Sequence, residues 1–201
     1  MSDYHCAAER ENDVHPQAGE KCEKPHETAL NLIATQRYSE AVELLDQAIA
    51  SSPRDAASFY ARAVANLSMN NYRKAGSDFL RVIVLDPGHV DAYRYLGFVQ
   101  HTLGKDEAAR KTIEKGLAID PSCADLYCVL GDVHLDLCEF EQAKQAFDKA
   151  LELAPENAEP HCKIAMYYLS KGDMKSLKRE YEVLKMLDAP MAEQIGSLFF
   201  S

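Results

Sequence analysis

The chain has no tryptophan, and its large rings come from 10 tyrosines and 7 phenylalanines. It has no apolar run approaching the roughly 20 residues that a membrane-spanning helix needs. Basic residues are in deficit: 32 acids stand against 22 bases, for a net charge of −10. That balance argues against nucleic acid, whose partners usually carry a basic stripe, and against an anionic membrane surface. It agrees with a basic partner, or simply with solubility. No Cys-x-x-Cys pair occurs among the six cysteines. The cluster His5, Cys6, His15, Cys22 and His26 therefore does not match the spacing of a structural zinc site. Also absent are the phosphate-cradling Gly-x-x-x-x-Gly-Lys, the His-Glu-x-x-His pair and the Gly-x-Ser-x-Gly elbow. No enzyme, cofactor or metal centre is expected. The opening Met1-Ser2-Asp3-Tyr4-His5-Cys6 lacks the basic head and apolar stretch of a secretory leader. A cytoplasmic protein with reduced thiols is expected.

What the chain does have is a period. Pro53, Pro87, Pro121 and Pro155 stand 34 residues apart. A ring residue recurs at Phe59, Tyr93, Tyr127 and His161. A small residue recurs at Ala29, Ala63, Gly97, Gly131 and Ala165, and an alanine at Ala41, Ala75, Ala109 and Ala143. Four places after that alanine comes Leu45, Phe79, Ile113 or Phe147, with Tyr181 in the last unit. Within a unit the apolar residues fall at three- and four-residue spacings. Phe140, Ala143, Phe147, Ala150 and Leu151 form one stripe, and Tyr127, Leu130, Gly131 and His134 another. That is helical, not strand, periodicity.

These columns resemble the tetratricopeptide repeat, with an aromatic, a Leu-Gly and Tyr pattern, an alanine, a large apolar residue and a closing proline over 34 residues. The resemblance covers most of the chain. It implies an all-α protein: an α-solenoid, a right-handed superhelix of antiparallel helix pairs. Five units are expected at 22–55, 56–89, 90–123, 124–157 and 158–191. A polar tail, 1–21, would precede them, and a capping helix, 190–201, would present Met191, Ile195, Leu198 and Phe199 on one face. The first and fifth units are degenerate. Pro25 replaces the ring, Leu177 the alanine, and Ala189 the proline, with Pro190 one place late.

The small column lets two helix axes approach until ridges fit grooves, so leucine at Gly131 would overpack that crossing. The prolines should end the second helices. Asp55 and Asn157 are good N-caps for the next helices, while His89 and Cys123 are poor ones. Asp91, Asp125 and Glu159 follow in first turns, where the helix dipole accepts negative charge. Cys128 and Cys162, one period apart, lie on helices whose axes should stand too far apart for a disulfide.

In repeats of this kind the first helix of each unit lines a concave groove. The resemblance thus implies a scaffold or adaptor that binds a peptide or helix there. The stripe read for it is His26, Leu30 and Ile33; Tyr60, Val64 and Leu67; Arg94, Phe98 and His101; Cys128, Asp132 and Leu135; Cys162, Met166 and Leu169. Its first two members in each unit are expected to be the more exposed. The partner-binding set is Tyr60, Val64, Arg94, Phe98, His101, Cys128, Asp132 and Met166. Equally, Tyr60, Phe98 and Met166 could simply complete the core. A grip on acidic chaperone tails needs several cationic donors, and the matching positions hold only Arg94 and Lys163. The alternatives are a secretion-type chaperone holding an export substrate, and a homo-oligomer joined through Leu198, Phe199 and Phe200.

Overall fold

The computed structural model describes residues 25–199. The 1–21 tail and the His5, Cys6, His15 and Cys22 cluster lie outside the described residues, as does Phe200. Eleven helices follow in order, and no strand occurs among the described residues. They are α1 (Pro25–Ala34), α2 (Tyr38–Ser51), α3 (Ala56–Ser68), α4 (Tyr72–Leu85), α5 (Val90–Thr102) and α6 (Asp106–Ile119). Then come α7 (Ala124–Asp136), α8 (Phe140–Leu153), α9 (Ala158–Ser170), α10 (Met174–Leu187) and α11 (Ala189–Phe199). Each helix packs on the next, while α1 also meets α3 and α5 meets α7. The result is an α-solenoid whose odd-numbered first helices form one layer.

The punctuation is local chemistry. Before each proline of the 34-residue series, the residue is forced out of helical dihedrals. Ser52, Asp86, Asp120 and Ala154 accordingly end α2, α4, α6 and α8 with φ of −137°, −135°, −129° and −141°. Asp55 accepts a hydrogen bond from the Ala57 N–H and Asn157 from the Glu159 N–H. Cys123 makes no side-chain cap. His89 departs from the expected poor cap: its Nδ1 accepts the Ala92 N–H at 3.3 Å. An unprotonated ring nitrogen is an acceptor like a carboxylate oxygen, only bulkier.

Between the helices of each pair the chain turns through a left-handed residue: Gln36, Asn70, Gly104, Cys138 and Gly172, with φ between 58° and 70°. The following N–H reaches back five residues, as from Glu139 to the His134 carbonyl at 2.8 Å, which closes a Schellman cap. Only glycine adopts this φ without strain. Cys138→Gly is therefore expected to stabilise the protein by about 0.5–1 kcal/mol, read as a higher denaturant midpoint at unchanged slope. A lower midpoint would contradict the strain argument.

The repeat columns are the core. Ala41, Ala75, Ala109 and Ala143 are fully buried, as are Leu45, Phe79, Ile113 and Phe147. In the last unit the substituted Leu177 is buried as well. Phe140 departs from its expected stripe; as the first residue of α8 it stands exposed. The ring column ties units together. Tyr93 Oη donates to the Pro87 carbonyl at 3.1 Å, and His161 Nε2 lies 3.3 Å from the Pro155 carbonyl. Its Nδ1 sits 2.8 Å from Glu180 Oε2.

One joint is polar. Arg62 on α3 holds Asp78 on α4 with two nitrogens, at 2.8 and 2.7 Å, and Asp46 on α2 with a third at 2.6 Å. At the far end α11 packs against α10 and α9. Ala192 is buried and Met191 half-buried beside Leu184, Tyr181, Ala158 and Cys162. Met191 belongs to the face expected to do the covering, whereas Ala192 was not foreseen. Cys123, Cys128, Cys138 and Cys162 are free. No helix among the described residues is long and apolar enough to cross a membrane.

Candidate functional site

The first-helix layer carries an open hollow of about 280 Å³ centred on α5 and α7. Four of the expected groove residues meet there: Arg94, Phe98, Cys128 and Asp132. Leu67, Tyr95, Asp125, Val129 and Glu159 complete the lining. Its apolar floor comes from Leu67, Tyr95, Val129 and the exposed ring of Phe98, and its rim is ionic.

One cation, Arg94, lines that rim, and a second, Lys163, stands outside the lining beside Asp132; each is already engaged. Arg94 lies 3.0 Å from Asp91 and 3.7 Å from Asp125, and its guanidinium stacks 4.0 Å above the Tyr95 ring. Burial pulls its pKa down, but Tyr95 and Asp91 more than offset this and hold the charge firmly. Lys163 on α9 sits 2.7 Å from Asp132 Oδ1. That contact is Coulombic and poorly angled, so the oxygen is left without a directed hydrogen bond. Burial lowers the Lys163 pKa, and Asp132 more than restores it. Asp125 and Glu159, set by dipole and capping chemistry near helix starts, stand exposed at the same rim. Three lining acids face Arg94, with Lys163 countering Asp132, so an excess of one negative charge remains and favours a ligand with positive charge.

Cys128 departs from its expected exposure. It is only 5% accessible, and burial pushes its thiol up to about 12, so at neutral pH it is an inert apolar wall and not a nucleophile. Cys162 is shifted upward for the same reason.

The remaining candidates go elsewhere. Tyr60 lies 4.7 Å from the His89 ring and 6.2 Å from the Tyr95 ring, and makes a T-shaped contact with Phe79. Burial raises its hydroxyl to about 12. Val64 packs on the same cluster. His101 turns toward Asp106 at the start of α6. Met166 is exposed on α9, apart from the lining.

Exposure also follows a rule the helical spacing does not give. The middle residue of the stripe is open in alternate units, at Leu30, Phe98 and Met166, but half-buried at Val64 and Asp132. Tyr95, Val129 and Glu159 were missed because they sit one helical step off the stripe. The sequence signal for Tyr95 and Val129 was their place next to Arg94 and Cys128, and for Glu159 its place in the first turn of α9.

Comparison with known proteins puts the architecture in context. Family models described as tetratricopeptide repeat match residues 26–88, 60–122 and 124–157. A tetratricopeptide repeat-containing protein of Rhizobium etli is 36% identical over 85 residues, which is 42% of either chain, so the match spans less than half of that relative. Among solved structures, MamA (residues 41 to the end) from Desulfovibrio magneticus RS-1 is similar at a TM-score of 0.73. It is 22% identical, with 86% of this chain and 97% of that one covered. YrrB, described as having an unusual peptide-binding site, is similar at a TM-score of 0.66 and 15% identity, covering 86% and 90%. At those identities the likeness is one of fold.

Proposed function

This chain belongs to the tetratricopeptide-repeat family, whose members mediate protein–protein interactions, and from that premise we propose that it is a scaffold or adaptor holding a segment of a partner protein in the α5–α7–α9 hollow. The observation that carries this reading is the Phe98 ring. It is 39% exposed at the edge of a cleft whose other apolar walls are fixed by the core. Such a ring, flanked by paired charges, is the composition of a binding hot spot.

The segment that fits presents an apolar side chain to Phe98, Tyr95 and Val129, with a lysine or arginine directed at Asp132, Asp125 or Glu159. A preformed groove loses little entropy of its own on binding. YrrB shares the fold and is described with a peptide-binding site, which supports a peptide as the ligand class.

The test is capture of partners on the full chain, followed by measurement of their affinity for variants. Phe98→Ala is expected to weaken binding by about 2 kcal/mol, roughly 30-fold, as for a central aromatic anchor. Because the ring is only 39% exposed, a modest fall in melting temperature is expected as well, and affinities are compared at a temperature where both proteins are fully folded. A partner set bound equally well by the Phe98→Ala/Asp132→Asn variant would overturn the assignment.

A further inference from the structure

Away from the hollow, three helices bring side chains to one corner of the third and fourth units. His101 lies in the last turn of α5, Asp106 begins α6, and Asp136 is the last residue of α7. His101 Nδ1 is 2.8 Å from Asp106 Oδ1 and 3.7 Å from Asp136 Oδ2, and all three atoms lie within 4.8 Å of one another. An imidazole nitrogen carries at most one proton, so it can satisfy only one of these carboxylates at a time. Among the described residues, no lysine or arginine forms an ion pair with Asp106 or Asp136. Asp136 also stands at a helix C-terminus, where the dipole opposes negative charge.

A second imidazole–carboxylate pair, one unit later and one column over, shows a balanced version. His134 Nδ1 faces Glu139 Oε2, while Arg110 Nη1 lies 3.6 Å from the other oxygen of that carboxylate. There a side-chain cation supplies the positive charge. In the His101 corner no side chain does.

We propose that His101, Asp106 and Asp136 form a binding site for a divalent first-row transition ion of the zinc class. One imidazole nitrogen and two carboxylate oxygens are a borderline donor set. It suits zinc better than calcium or magnesium, which take oxygen ligands throughout. Bonds of about 2.0–2.2 Å to a tetrahedral ion set donor atoms roughly 3.3–3.6 Å apart. The 3.7 Å pair is close to that, and the 2.8 Å hydrogen bond of His101 with Asp106 would open as the ion replaces the shared proton, with a fourth position open to water. Because the donors come from α5, α6 and α7, the ion would tie the two hairpins together on the side reached by His101.

The experiment uses the full chain freed of metal with a chelator, then titrated with zinc chloride while heat and melting temperature are followed. One zinc per chain is expected at this site, with a higher melting temperature. Even outer-shell groups are worth about 10–100-fold in metal affinity, so Asp136→Asn and His101→Gln should each weaken binding by at least about tenfold. Asp136 is exposed, so its zinc-free variant should melt no lower than the parent. Cobalt substitution adds an independent readout: the site should show ligand-field bands without a thiolate-to-metal band. A melting temperature indifferent to zinc, zinc uptake unchanged in both variants, or a thiolate band would each overturn the proposal.

Discussion

Gly131→Leu is expected to lower stability by about 3 kcal/mol, the upper part of the range for overfilled cores. For a protein of this size that corresponds to a fall of roughly 6–12 °C in melting temperature. A side chain at Gly131 would project into the Phe147 ring: an added Cβ alone would meet Cζ at 2.6 Å and Cδ1 at 2.7 Å. Phe147 is 1% accessible and cannot swing away without disturbing Ala143 and Ile164 around it. Gly131→Ala should cost less. In the second unit the same columns hold Ala63 and Phe79, both buried, so a slightly wider crossing is within reach of the fold. An unchanged melting temperature for the leucine variant would mean that α7 and α8 do not cross this closely.

Removing the Arg62 guanidinium is the second large perturbation. Arg62→Leu leaves the Asp78 carboxylate, 7% accessible, buried without its bidentate partner. Breaking such a pair costs about 3–5 kcal/mol. The lower end applies because the Arg62 side chain is itself 21% exposed. The other units show how to repair it. The Arg62 column continues as Leu96, Leu130 and Ile164, and the Asp78 column reaches Ala146 in the fourth unit. Arg62→Leu/Asp78→Ala is therefore expected to recover most of the loss, since apolar replacement of a buried pair is often neutral. Each unit packs only on its neighbours, so in Arg62→Leu hydrogen-exchange protection should fall in α1–α4 and persist in α7–α10. Equal destabilisation by the single and double variants would refute the account.

The helices, their pairing and their ends were legible because the signals are local and repeated. Pro53, Pro87, Pro121 and Pro155 act on the residue before them, and the alanine and large-apolar columns act on the crossing within one hairpin. The left-handed turn was harder to see. Gln36, Asn70 and Cys138 fill it in three of five units, so no glycine column marks it. His89 escaped notice as a cap because its capacity depends on an unprotonated Nδ1, which residue type alone does not convey.

The candidate site was legible in part. Arg94, Phe98, Cys128 and Asp132 share a stripe and do meet, but the stripe could not separate Tyr60 from them. Whether a ring lines the surface or joins the core depends on what the next unit offers. At Tyr60 the cap residue of α5, His89, and Tyr95 of the next unit cover the ring. The ion pair of Asp132 with Lys163, and the convergence of Asp136 on His101, join residues about 30 positions apart. They become neighbours only when hairpins stack.

On the proposed reading, alternation along the inner layer would set the grammar of recognition. Leu30, Phe98 and Met166 offer a foothold on every second hairpin, not on each one. A short ligand would grip a single foothold and ignore the rest. A longer one would gain affinity in steps, each step requiring enough chain to straddle an intervening hairpin, and its own anchoring residues would have to be spaced to match.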